Sequence, residues 1–182
     1  MALYQLRRRR RVILCDLAGQ EALAAGAVVI DEPRNLLDHV AAHGARGRFR
    51  VCWRGFIDGV EAGFDLACRV AWAAEDLAML WDEADMLAPN QRLGRFANNI
   101  ANMQRHRRID LYWTSRRPAM VPRLLTANAD RMCVFRQTEP ADLDYLRKRI
   151  GQAAEQLPRL ANFHALDWRD GQGATVRRSY FD

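Results

Sequence analysis

Short apolar runs alternate with stretches of helical spacing along this chain, the pattern of an α/β domain built on a largely parallel sheet. Residues 12–15, ending at Asp16, form one compact apolar run and residues 27–30 a second, and both predict strands. Asp31, Glu32 and Pro33 open a helix carrying Leu36, Leu37 and Val40, which Gly44 closes as a C-cap. Residues 49–53 predict a third strand. Across 60–75, Phe64, Ala67, Cys68, Ala71 and Ala74 fall at helical spacing. Residues 77–81 are apolar throughout, which marks a strand buried on both faces.

Pro89 starts a helix whose face is Leu93, Phe96, Ile100 and Met103, and residues 109–114 predict the next strand. Residues 118–129 read as a short helical or irregular connection, and 132–135 as a strand. Thr138 is expected to cap the following helix. Glu139 and Asp142 lie in its first turn, where the helix dipole favours acids, and Leu143, Leu146, Ile150 and Leu157 form its apolar stripe. Residues 164–168, a turn at Gly171 and Gly173, and residues 175–180 read as a terminal β-hairpin. No repeat or linker interrupts the pattern, so residues 1–182 are expected to form a single domain.

Composition fits that reading. The chain has 182 residues, 49% hydrophobic and 27% charged, which suits a globular domain with a real core. No apolar run approaches the roughly 18 residues of a membrane helix, and no secretory h-region follows the arginines at 7–11. Cys15, Cys52, Cys68 and Cys133 stand alone in apolar stretches with no C-x-x-C pair, so they are expected to be reduced core thiols of a cytoplasmic protein. The net charge is +6, compatible with a nucleic-acid partner. Lys148 is the only lysine among the 28 Lys and Arg residues, and no glycine precedes it closely. A Walker A loop, G-x-x-x-x-G-K-[ST], needs a lysine behind glycines, so the sequence contains no P-loop.

Two strand tips carry candidate chemistry. The apolar run ending at Trp81 leads directly into Asp82 and Glu83, which places both carboxylates at the strand's C-terminal edge, where open α/β sheets bind ligands. An aspartate there can hold Mg²⁺ through its water shell, and an adjacent glutamate can orient and deprotonate water. A solvated loop with two acids is the plainer alternative. The run ending at Trp113 leads into Thr114, Ser115, Arg116, Arg117 and Pro118. A polar tip beside such a strand can contact a γ-phosphate or the attacking water, and Arg117 can stabilise developing charge. A Thr-Ser turn with solvated arginines is the alternative here.

Five blocks together carry a family resemblance: Trp81 to Asp85, Gln104 to Leu111, Thr114 to Pro118, Asn128 to Asp130, and Phe135 to Leu143. They resemble the FtsK/HerA-type P-loop ATPases, most closely the phage DNA-packaging and zonular-occludens-toxin-like members, over residues from about Arg11 to Trp168. The resemblance implies a P-loop ATPase type of sheet, mostly parallel with helices on both faces. It also implies ATP and Mg²⁺ as cofactors, DNA as partner, and a homo-oligomeric ring, usually a hexamer. It assigns Asp82 to the metal position and Glu83 to the catalytic base. Arg117 matches the arginine of the family's Gln-Arg-Pro tip, with Ser115 beside it, and Arg105 matches a position that acts in trans on a neighbour's nucleotide; a structural arginine is the alternative for Arg105. Two departures stand out. Arg116 occupies the place of the family's glutamine, and the Walker A segment is missing. Residues 1–7 resemble the end of the helix that follows that loop, so the loop and its strand are expected upstream of Met1.

Two functional readings follow: an ATPase core of a DNA-translocating or packaging motor, or a non-catalytic ATPase-like module for DNA binding or assembly. Residues 82–85 also spell the DEAD-box helicase motif, but nothing else of a two-lobed helicase is present. His39 and His43 stand at i, i+4 and lack a third metal ligand. Arg7 to Arg11 could meet phosphates or an acidic surface, or form a charged helix end. The five tryptophans, at 53, 72, 81, 113 and 168, lie within expected strands and helices and read as core or sheet-facing residues.

Overall fold

The computed structural model describes residues 6–44 and 47–178. The chain divides into two compact units, Met1–Arg116 and Arg117–Asp182. The first holds β1 (Arg11–Cys15), α1 (Glu21–Ala24), β2 (Val28–Ile30), α2 (Pro33–His43), β3 (Phe49–Trp53), α3 (Val60–Ala74), β4 (Leu77–Trp81), α4 (Ala84–Leu87), α5 (Arg95–Met103) and β5 (Ile109–Trp113). The second holds α6 (Arg123–Ala127), β6 (Arg131–Phe135), α7 (Pro140–Ile150), β7 (His164–Arg169) and β8 (Gly173–Arg178).

The first unit is a five-stranded, wholly parallel sheet in the order β2-β3-β1-β4-β5, flanked by helices. Strands β1 and β4 are buried at every position, as unbroken apolar runs require when both faces are covered. The pairing register assigns each residue to a face. Val12, Leu14, Cys52, Ala78 and Leu80 share one face, where Leu6 and Leu23 of α1 cover them. Trp53, Met79 and Trp81 take the other, against α3. There Phe64 of α3 meets Trp81 edge to face, with centroids 4.8 Å apart and planes at 86°. Such a pair contributes about 0.5–1.5 kcal/mol beyond its buried area. Gly63 lets α3 approach the segment that follows β3: a Cβ there would fall 2.2 Å from the Gly55 carbonyl oxygen. The Gly63 carbonyl also accepts the Trp53 indole N–H at 2.9 Å. Among the described residues, no strand runs into a glycine-lysine loop.

In the second unit β6, β7 and β8 form an antiparallel sheet, with β7 and β8 as the C-terminal hairpin. The hairpin was expected to reach residue 180; Arg178 is its last described residue, and residues 179–182 lie outside the description. Residues 1–5, which carry most of the resemblance to a post-P-loop helix, also lie outside it.

Several expectations are corrected. Thr138 does not cap α7: Glu139 is the N-cap, and Pro140 supplies the first helical position with its φ already set. The apolar segment from Pro89 splits into a 3₁₀ turn at Pro89–Gln91 and α5, because Asn90 adopts a left-handed φ of 56°. Cys133 is exposed rather than a core thiol, whereas Cys15, Cys52 and Cys68 are buried. Strand β6 shows the reason: burial alternates along it, with Met132 and Val134 buried and Cys133 and Phe135 exposed. That is a one-sided antiparallel strand, and Cys133 falls on its outer face.

Candidate functional site

Each parallel ladder of the first unit continues one residue past its strand. Asp16 N–H donates to the Trp53 carbonyl at 3.0 Å, Asp82 N–H to Cys15 at 3.1 Å, and Thr114 N–H to Trp81 at 3.0 Å. The same register that puts Leu14, Cys52, Leu80 and Tyr112 on one face therefore sends Asp16, Arg54, Asp82 and Thr114 to that face at the C-terminal edge. Four strand tips converge there.

Asp82 is 7% exposed, and each of its carboxylate oxygens accepts one hydrogen bond. Its Oδ1 accepts the Thr114 hydroxyl at 2.6 Å, and its Oδ2 accepts the Gln20 side-chain amide at 2.7 Å. Burial pushes its carboxyl above the ordinary range. The Thr114 bond pulls the other way, the charge of Asp16 adds to the rise, Arg116 opposes it, and Asp85 adds slightly. Asp16 is held still more firmly. Its Oδ2 accepts Arg54 Nε at 2.8 Å, and its Oδ1 accepts the Gln20 backbone N–H at 3.0 Å. Gln20 thus bridges two acids, its main chain on Asp16 and its side chain on Asp82.

Glu83 sits in the left-handed region at φ 55°, ψ 56°, a conformation that costs a side-chain-bearing residue of order 1–2 kcal/mol. The surroundings hold it there. Glu83 N–H donates to Thr114 Oγ1 at 3.0 Å, and Ala84 N–H to the Thr114 carbonyl at 2.8 Å. Strain of this kind concentrates at functional sites. The Glu83 carboxylate pairs with Arg116 Nε at 3.3 Å, so Arg116 lies against the candidate base.

The remaining candidates have surroundings of their own. Ser115 follows Thr114 and is half-buried. Arg105 lies in the 3₁₀ turn Gln104–Arg107 before β5, at the edge of the sheet opposite Asp82. Arg117 belongs to the second unit. There its Nε donates to buried Asp142 at 2.9 Å, and Asp142 also accepts Ala119 N–H at 2.8 Å. His39 and His43 stack with centroids 4.5 Å apart. Among the described residues no three His, Cys, Asp or Glu converge on a metal position.

Sequence reasoning named Thr114 and Asp16 as strand ends without joining either to Asp82, and it passed over Gln20 and Arg54. Thr114 was legible, because it is the register partner of Asp82 one step past the Trp81–Trp113 pair. Asp16 was visible as a strand-terminal acid. Gln20 carries no local signal, since its bond to Asp82 spans 62 residues of sequence.

No family model matches the chain, and no curated protein does. Solved structures do. The genome packaging NTPase B204 from Sulfolobus turreted icosahedral virus 2, in complex with sulfate, superimposes with a TM-score of 0.78 at 15% identity, covering 100% of this chain and 87% of that one. The same protein in complex with ATP-gammaS gives 0.73 at 15% identity, with coverages of 98% and 86%. The DNA-packaging ATPase B204 from Sulfolobus turreted icosahedral virus gives 0.68 at 17% identity, with 98% and 87%. At such identities the likeness is one of fold, and it agrees with the packaging-ATPase resemblance of the five sequence blocks: this chain has the α/β fold of a viral genome-packaging NTPase.

Proposed function

We propose that the chain is the ATPase core of a DNA-translocating or genome-packaging motor, one ATPase-like domain working in a cytoplasmic homo-oligomeric ring. The observation that carries this reading is the grip of Thr114 on both Asp82 and Glu83, which joins two neighbouring strand tips into one acidic edge. The fold it shares with a packaging NTPase solved with ATP-gammaS supports it further.

The residues present fit a magnesium ion. Asp82 is a hard oxygen donor whose burial disfavours its charge, and a nearby cation would relieve that cost. Among the described residues no three such ligands gather, so the ion would be held by Asp82 and water. Bound there, Mg²⁺ supplies charge neutralisation at phosphate oxygens. In this proposal Glu83 is the group that would take a proton from water, its carboxylate aimed by the contact with Arg116 Nε. Ser115 extends the Thr114 tip. From the resemblance, Arg117, whose Nε donates to Asp142, would stabilise developing charge, and the place of Arg105 at the far edge of its own sheet suits action toward a neighbouring subunit. The triphosphate is a different matter. These 182 residues contain no glycine-lysine loop to grip it, so the donor set does not fit the nucleotide by itself.

The net charge of +6 keeps a second reading beside the first, a non-catalytic ATPase-like module for DNA binding or assembly. Manganese binding tests the metal assignment without activity. Titration of Mn²⁺ followed by electron paramagnetic resonance should show a site in the wild type that Asp82→Asn removes. Equal binding by both proteins would overturn it.

A further inference from the structure

The edge of the parallel sheet opposite the acids carries a second charged feature. Where the chain enters β1 and β3, Arg7, Arg9, Arg10, Arg48, Phe49 and Arg50 line an open cavity of about 240 Å³ with no acid in its wall. The neighbouring Arg11 is spent elsewhere: its guanidinium donates to the Glu75 and Ala74 carbonyls at 2.8 and 3.0 Å, capping the end of α3. Arg9 is committed to Asp76 and Asp110, and Arg50 to the Leu6 carbonyl. Arg7, Arg10 and Arg48 are exposed, and none of their guanidinium groups has a partner among the described residues. Burial, and after it the charge of Arg7, push Arg50 below its ordinary value.

We propose that this arginine cavity is a binding site for the phosphodiester backbone of DNA. Several guanidinium forks around one hollow match phosphate oxygens, which they can bind two at a time. A single phosphate would use one or two of them. Arginines brought from the approaches to two strands suit a polyanion that crosses both. The walls offer nothing to read a base. Phe49 is 5% exposed and presents no stacking face, and no amide or carboxylate lines the cavity. Contacts limited to phosphates position a duplex without selecting sequence. The proposal shares only its DNA partner with the preceding reading and needs neither Asp82 nor nucleotide.

The test is fluorescence anisotropy of a mixed-sequence DNA duplex with the full chain, without nucleotide or Mg²⁺, over a range of NaCl. Each lost phosphate contact should lower the log–log salt slope by about 0.9. Arg7→Ala, Arg10→Ala and Arg48→Ala combined should therefore flatten the slope by about 2–3 and weaken low-salt binding by about tenfold or more. The corresponding three Arg→Lys changes should keep most of the slope. Circular dichroism should show all three proteins equally folded, since the altered side chains have no described partners. Wild-type slope and affinity in the triple alanine variant would overturn the proposal. So would tight binding of inorganic pyrophosphate or an acidic peptide at this cavity with no binding of DNA.

Discussion

The Thr114 hydroxyl donates to Asp82 Oδ1 across 2.6 Å, one residue beyond the point where Trp113 and Trp81 pair in the sheet. The same oxygen accepts Glu83 N–H, so one side chain orients one acid and fixes the backbone of the next. Thr114→Val keeps the shape and removes the hydroxyl. It leaves a buried carboxylate short of a donor, at a cost of about 1.5–3 kcal/mol. Urea denaturation should show that loss for valine and little of it for Thr114→Ser. Equal stability of all three proteins would mean that the bond contributes nothing.

The raised Asp82 carboxyl gives stability a pH signature. Its folded value lies above its unfolded value, so the folded chain holds the proton more tightly. The penalty is absent below the ordinary carboxylate range. It grows as pH rises through that range to the raised value and is constant above it. Asp82→Asn cannot titrate. The stability of the variant relative to wild type should therefore increase from acid to neutral pH, measured by denaturation at each. A difference that stays flat, or runs the other way, would show that burial does not dominate at Asp82.

Arg117 tests the line between positioning and packing. Asp142 is fully buried and receives Arg117 Nε and Ala119 N–H. Because Arg117 is about half exposed, Arg117→Ala should cost only about 1–2 kcal/mol of stability. Arg117→Lys should recover part of it. If alanine leaves stability unchanged, the bond to Asp142 is not what holds this tip.

Thiol chemistry reads out the burial pattern. Native chain treated with iodoacetamide at mildly alkaline pH should be modified at Cys133 first. Cys15 and Cys68 are raised far above the ordinary thiol value, chiefly by burial, and Cys52 is pushed up to about 11. Those three should react only on unfolding. Early modification of Cys52, which donates its thiol to Asp16, would contradict the closed face of β3.

How far the sequence carried follows from which interactions are local. The unbroken apolar run of β4 announces a strand buried on both faces, so the position of Asp82 and Glu83 at its tip could be read directly. Asp16 and Thr114 become legible once the parallel register is drawn. Gln20 and Arg54 do not, because side-chain reach across 62 and 38 residues leaves no periodic trace. Cys133 was misplaced for a related reason. Its neighbours Met132, Val134 and Phe135 look like a buried run until the strand is seen to be covered on one side only. The left-handed backbone of Glu83 also has no signature in its residue type, since glutamate does not favour it.

The central claim is that Asp82 and Glu83 are the metal and water side of an ATPase. Its most direct test is Mg-ATP turnover by the 182-residue chain and by a form extended in frame ahead of Met1 through a G-x-x-x-x-G-K-[ST] loop, each with and without Glu83→Gln. The account predicts turnover in the extended form, falling by about a hundredfold or more in Glu83→Gln while ATP binding persists. An extended form that hydrolyses ATP equally well with and without the Glu83→Gln change, or that binds ATP without hydrolysing it, would contradict the account.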